Sequence, residues 1–257
     1  VVVAGAFMMD LIDLTIVNVA LPSIQRDLSA DTAQMQWMVA GYAVAFAILL
    51  ITGGRLGDTH GYRRLFMIGM AGFTLTSLLC GLSVSGPMLV AARFVQGLGG
   101  GAIMALAVMN LRFTVPQKLL GTIIGFNAMT IAIASAAGPG IAGAILSVAH
   151  WPWLFAVNIP LGLLVLLCGG VLAHTQGMAR KLDIGALIIN TAMFILFFSG
   201  ADNLARTPVR GGALIMAAMV CFGTATAAQA GSVTLFSEPY FRGDRITIHD
   251  NIDSLAK

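Results

Sequence analysis

The sequence predicts an all-α, multi-pass membrane protein with a short β-like tail, on three observations. Charged residues make up only 10% of the 257 residues and apolar ones 58%, against about 25% charged in ordinary soluble domains. The mean hydropathy is +0.91 over the whole chain, so apolar residues are spread along it rather than gathered into one core. They fall in successive runs of spanning length, about 18 residues or more with few charges, separated by short polar breaks. A formal net charge of +3, scattered along the chain, argues against a nucleic-acid partner.

The runs place eight spans at residues 1–22, 35–54, 65–84, 86–111, 119–147, 152–173, 183–202 and 211–230. The chain opens on Val1 in apolar sequence with no basic n-region, unlike a signal peptide. It reads as already inside its first helix, with residues upstream of Val1 expected to be missing. Alternate loops on one side collect Arg55, Arg63, Arg64, Arg112, Lys118, Arg180 and Lys181, and the other side has Arg26, Arg206 and Arg210. The positive-inside rule therefore sets the Arg63–Arg64 loop in the cytoplasm. The last two spans are the weakest, with Asp202, Arg206 and Arg210 in the loop expected between them. Cys80, Cys168 and Cys221 each stand alone in an apolar run and read as small buried hydrophobes. His60, His150, His174 and His249 are scattered, with no nucleophile or metal constellation around them, so no enzyme is expected.

Polar residues inside spans carry the chemistry, because a charge at membrane depth is expensive and usually serves a function. Asp10 and Asp13 lie three apart and share one helix face. Asp13 is about nine residues in from Pro22, or about 14 Å at 1.5 Å per residue, near the middle of a hydrocarbon core about 30 Å thick. Two carboxylates that close, partly desolvated, do not both ionise easily, which suits a proton carrier. Asp10 also fits a hydrated carboxylate at the cytoplasmic end of the span. Arg93 lies about 10 Å into the fourth span, at a level similar to Asp13, and Gln96 shares its face. Such donors suit an anion or a deprotonated Asp; a helix-packing ion pair would require the same burial. Gly97, Gly99, Gly100 and Gly101, and Gly138, Gly140 and Gly143 around Pro139, are expected where helices touch, since small residues permit close approach in lipid. Pro139 in mid-span permits a bend.

Five motifs, in order, make the resemblance specific. Asp13-Leu-Thr-Ile-Val-Asn-Val-Ala-Leu-Pro22 resembles the first-helix signature of the fourteen-span drug/proton antiporters of the major facilitator superfamily. Gly54-Arg-Leu-Gly-Asp58-Thr-His-Gly61-Tyr-Arg63-Arg64 resembles that superfamily's loop between helices two and three. Arg93-Phe-Val-Gln96-Gly97 resembles its fourth-helix motif, and Gly138-Pro139-Gly-Ile-Ala-Gly143 its fifth-helix antiporter motif. Trp151-Pro-Trp153-Leu-Phe155-Ala-Val-Asn158-Ile-Pro160-Leu-Gly162 resembles the segment that opens helix six.

The resemblance implies a proton-driven exporter of amphipathic, often cationic compounds in the bacterial inner membrane, with the lipid bilayer, such compounds and protons as its partners. It needs no cofactor beyond the proton gradient. Proton coupling and substrate contact would map to Asp13 and Arg93, joined on the polar-residue argument by Asp10 and Gln96. A conformational loop would be built by Gly54, Asp58, Gly61, Arg63 and Arg64, and control of bending by Gly138, Pro139 and Gly143. Thr59 and Tyr62 stand where the family has basic residues, which weakens the loop's charge network. Ala142 replaces a Gly, and Pro152 an Arg.

The expected domains are a six-helix bundle over 1–174, two interbundle helices over 175–230 and a tail over 231–257. A transporter of this fold pairs two bundles around a midplane site, so a second bundle or another copy of the chain would have to complete the cavity. In the tail, Val233–Phe236 and Ile246–Ile248 alternate like strands. Phe236, Phe241 and Gly243 resemble part of a β/γ-crystallin Greek-key motif, and Asp250, Asn251 and Ser254 are its candidate calcium ligands. Beside the exporter stand three other readings: a non-transporting truncation or fusion product, a calcium-responsive membrane-anchored module, and a permease of the same superfamily for another solute.

Overall fold

The computed structural model describes residues 2–174, 184–229, 233–238 and 242–248. Two compact units divide the chain, Val1–Leu182 and Asp183–Lys257.

The first unit is a helical bundle. Helix α1 (Val2–Asp27) continues through Pro22 and ends five residues beyond it, so Pro22 does not end the helix. Asp13 consequently lies near the middle of the helix. Helix α2 (Thr32–His60) starts where the Asp31 carboxylate accepts the Gln34 backbone N–H at 2.6 Å, an N-cap. It stops at Gly61, whose φ of 88° favours glycine, and α3 (Tyr62–Gly81) begins at the next residue. A one-residue connection thus sets α2 and α3 side by side. Helix α4 (Gly86–Thr114) opens with Pro87 in its first turn, where no intrahelical N–H is needed. It ends at Thr114, just before Pro116. Helix α5 spans Gln117–Val148 with Pro139 inside it.

The sixth crossing is broken, which periodicity did not anticipate. Helix α6 (Pro152–Ala156) and α7 (Asn158–Cys168) are separated at Val157, and a 3₁₀ turn over Gly169–Val171 follows. Pro160 explains the break, because it has no N–H for the Ala156 carbonyl and its ring crowds that carbonyl.

Among the described residues six segments are long and apolar enough to cross a membrane: α1 to α5 and Pro152–Val171. Two apolar clusters fill the bundle. One gathers Phe7, Met9, Phe66, Met70, Phe73 and Ile103; the other gathers Ile12, Ile16, Met38, Leu89, Leu154 and Phe155. Large apolar side chains such as Ile68, Leu75, Val95 and Leu167 remain exposed, as expected of a surface that meets hydrocarbon.

The glycines of α4 explain how closely the helices pack. A methyl group at Gly97 would collide with the Tyr42 carbonyl, and one at Gly101 with the Phe46 carbonyl, so both admit α2. One at Gly99 would stand 2.9 Å from the Phe73 nitrogen, so Gly99 admits α3. Gly138 likewise meets Thr15 of α1. Gly140 and Gly143 differ from expectation: nothing lies within 4 Å of a methyl at either. They point away from α1, the helix that covers the opposite side of α5.

In the second unit, α8 (Ile184–Arg206) and α9 (Pro208–Gln229) are joined by Thr207 alone. Arg206 and Arg210 are therefore helical residues and not part of a loop, because Pro208 can begin a helix at once. Their described apolar stretches are shorter, Thr191–Ala201 and Pro208–Phe222. Gly200 and Gly211 let the two backbones touch. Strands β1 (Val233–Glu238) and β2 (Arg242–Ile248) pair antiparallel, with Val233 opposite Ile248 and an irregularity between Phe236 and Glu238.

Candidate functional site: a buried ion pair at mid-bundle

Helices α1, α2, α3, α4 and α7 each place polar side chains on one buried cluster. Arg93 is 1% exposed, and its Nη1 donates to Asp13 Oδ2 at 2.5 Å and to Gln96 Oε1 at 2.7 Å. Gln96 Nε2 donates to Asp13 Oδ1 at 3.2 Å and to Ser77 Oγ at 2.7 Å. Asn158 Nδ2 reaches the same Oδ1 at 2.8 Å. Asp13 thus accepts from three donors on two other helices, one of them a cation. An ion pair in low dielectric is tolerable only with such additional hydrogen bonds.

Asp10, one turn earlier, is fully buried rather than hydrated at a helix end. Its Oδ1 accepts the Tyr42 hydroxyl at 2.7 Å. The Arg93 guanidinium lies over the Tyr42 ring, 4.1 Å from the centroid, and 5.7 Å from the Phe155 ring. Such contacts disperse cationic charge in a water-poor site. Three atoms here retain unused capacity, with no hydrogen-bond partner among the described residues: Asp10 Oδ2, Arg93 Nε and Asn158 Oδ1. A proton or a polar group of a bound solute could use them.

The structure therefore brings Asp13, Arg93 and Gln96 together and sets Asp10 beside them through Tyr42. Sequence reasoning missed Tyr42, Ser77 and Cys80 as members, and quoted Asn158 only within a motif. Cys80 is buried, as expected, yet its thiol donates to Gln96 Oε1 at 3.4 Å, so it is not a purely apolar filler. A lone Asn or Tyr inside an apolar span was the available signal, by the same cost argument that singled out Arg93.

The loop residues lie apart from this cluster, where α2 meets α3. The Tyr62 hydroxyl donates to Asp58 Oδ1, so the tyrosine engages the acid by a hydrogen bond in place of an ion pair. The Asn110 amide on α4 donates to the Tyr62 carbonyl at 3.2 Å. Gly54 faces open space, Gly61 makes the turn, Arg63 is half-buried and Arg64 is exposed. Tyr62→Phe is expected to cost about 1 kcal/mol, read as a lower midpoint in thermal unfolding of the purified chain. No cluster of three metal-ligating side chains occurs among the described residues. The calcium candidates Asp250, Asn251 and Ser254 lie outside the described residues.

The family model described as Major Facilitator Superfamily matches residues 3–245. The chain belongs to the Major Facilitator Superfamily. An "Uncharacterized transporter YebQ" of Escherichia coli is 40% identical over 77% of this chain and 44% of its own length. The "Tetracenomycin C resistance and export protein" of Streptomyces glaucescens is 39% identical over 81% of this chain and 39% of its own length. The chain spans less than half the length of these curated relatives. The crystal structure of the POT family transporter PepTSo superposes with a TM-score of 0.65 at 14% identity, over 90% of this chain and 52% of that one; at that identity the likeness speaks for the fold. The major-facilitator relatives are transporters, not enzymes. The family match reaches across β1 into β2, and nothing in these comparisons supports the crystallin-like reading of the tail.

Proposed function

We propose that this bundle belongs to a proton-coupled exporter of amphipathic or cationic drug-like compounds in the bacterial inner membrane. The observation that carries this reading is the buried Asp13–Arg93 pair with a second carboxylate, Asp10, sealed beside it. A soluble core rarely holds three ionisable residues at about 1% exposure or less, and intramembrane ionisable residues mark ion or substrate pathways. A relative named for resistance and export of an antibiotic supports the substrate class. In this reading Asp13, Arg93, Asp10 and Gln96 couple proton and substrate, and a second bundle supplies the opposite wall of the cavity. Gly54, Asp58, Gly61, Arg63 and Arg64 govern the loop, and Gly138, Pro139 and Gly143 govern bending of α5. Gly140 and Gly143 face open space on α5, where small residues would let another helix approach closely.

Cells that express the chain are expected to accumulate less of a cationic dye than controls. A protonophore and Asp13→Asn should each abolish the difference. Equal accumulation with and without a well-inserted chain would favour the non-transporting truncation or fusion product over this reading.

A further inference from the structure

Asp10 is the one fully buried carboxylate, among the described residues, that has no cationic partner. Its Oδ1 accepts the Tyr42 hydroxyl, and its Oδ2 is buried with no partner among the described residues. Few titratable groups face it. Its own helix brings Asp13; α2 brings the Tyr42 phenol; α4 brings Arg93, whose Nη1 is engaged by Asp13 and Gln96. Helix α3 brings only the Cys80 thiol, which donates to Gln96. The titratable side chains of α5 and of residues 152–171 are Lys118 and Cys168, both exposed.

Asp13 and Arg93 cancel. An ionised Asp10 then leaves the cluster with a net negative charge and an oxygen lacking a donor, whereas a protonated Asp10 leaves it neutral. Burying an unpaired charge costs far more than burying a neutral hydroxyl. There is also no room for the pair to relax. A methyl at Gly100 would collide with Asp10 Oδ1 and stand 2.6 Å from the Tyr42 oxygen, so the pair rests against the backbone of the helix that carries Arg93.

We infer that Asp10, held by the Tyr42 hydroxyl, is the proton-binding carboxylate of this bundle, while Asp13 is the fixed counter-ion of Arg93. The inference rests on the proposed proton-coupled reading and divides labour within that site. The step is an acid–base one: a proton from water adds to Oδ2 and later leaves the same oxygen. Once it leaves, the Asp10 carboxylate sets a second negative charge beside the Asp13–Arg93 pair that joins α1 to α4. Proton release is thereby tied to the contact between α1 and α4.

The test is infrared difference spectroscopy of the purified full chain in lipid nanodiscs, between acid and alkaline pH. The wild type is expected to show a carboxylic-acid C=O band distinct from those of exposed carboxyls. Asp10→Asn should remove it. Tyr42→Phe should shift its frequency, since the carboxyl loses a hydrogen bond. The double variant Asp13→Asn/Arg93→Gln, which removes the ion pair without changing net charge, should retain it. Near-UV circular dichroism establishes that each variant folds, and the nearly isosteric Tyr42→Phe carries the test if Asp10→Asn does not fold. A band that survives Asp10→Asn overturns the inference, as does its loss from the folded double variant, an unshifted band in folded Tyr42→Phe or its absence from the wild type. Proton binding is read here without transport, so a failure of dye export leaves this assignment standing, and a failure of the band leaves export to be explained by another residue.

Discussion

Arg93→Met is expected to cost about 3–5 kcal/mol of stability, the usual loss when one partner of a buried ion pair is removed. The reason is the group left behind. Asp13 would keep its amide donors from Gln96 and Asn158 but would hold an uncompensated charge at 1% exposure. Met fills much of the volume of the arginine stem, so the loss is electrostatic rather than a cavity. The double variant Arg93→Met/Asp13→Leu should recover most of the loss, because replacing a whole buried pair with apolar groups is often neutral. Cys80 offers the readout. It is buried, so its reaction with a thiol-specific fluorophore during heating, in a Cys168→Ser/Cys221→Ser background, follows unfolding. Equal midpoints for the wild type and Arg93→Met would show that the pair contributes nothing to the fold.

Gly97→Leu should be nearly as damaging and for a different reason. The atom in the way is the Tyr42 backbone carbonyl, with Ala45 Cβ 3.1 Å from the added carbon. A backbone atom cannot swing aside as the end of a side chain can, so α2 and α4 must separate. Overpacking of this kind costs about 1–3 kcal/mol and occasionally more, and here it also tilts Tyr42 away from Asp10 and Arg93. Gly140→Ala is the contrasting control. Open space surrounds that position, so the change should add about 0.5–1 kcal/mol by relieving the backbone entropy of a helical glycine. The same thermal assay separates the two, and a neutral Gly97→Leu would mean that the seam between α2 and α4 is looser than its geometry indicates.

The bundle was legible because lipid leaves so few options. Apolar runs of spanning length must be helices, and all six of the first unit appear where hydropathy sets them. The ends were less legible. Pro22 looked like a terminus but lies inside α1, so a proline alone did not mark a helix end. Pro160 broke a helix that hydropathy alone reads as continuous. For the site, the cost of burying charge singled out Asp10, Asp13 and Arg93, and Gln96 followed because it shares the face of Arg93, yet neither argument could reveal which neutral groups complete their hydrogen bonds. Tyr42 and Asn158 come from other helices, and their pairing depends on rotations about helix axes that no local pattern records. The Asp58–Tyr62 contact illustrates the same gap: the family resemblance implied a weakened loop, whereas the phenol gives Asp58 a partner.

The bond from Asn158 to Asp13 joins residues 145 positions apart in the chain, and that from Arg93 joins residues 80 apart. These separations set a timetable for biogenesis. At about 5–20 residues per second of synthesis, the Asp13 carboxylate leaves the ribosome about 4–16 s before the cation that will neutralise it. The final amide donor follows some seconds later still. During that interval α1 is a poor lipid anchor, because it carries two acids and no counter-charge at its centre. Its settled place in the bilayer is expected to await the fourth and sixth crossings, which bring Arg93 and Asn158.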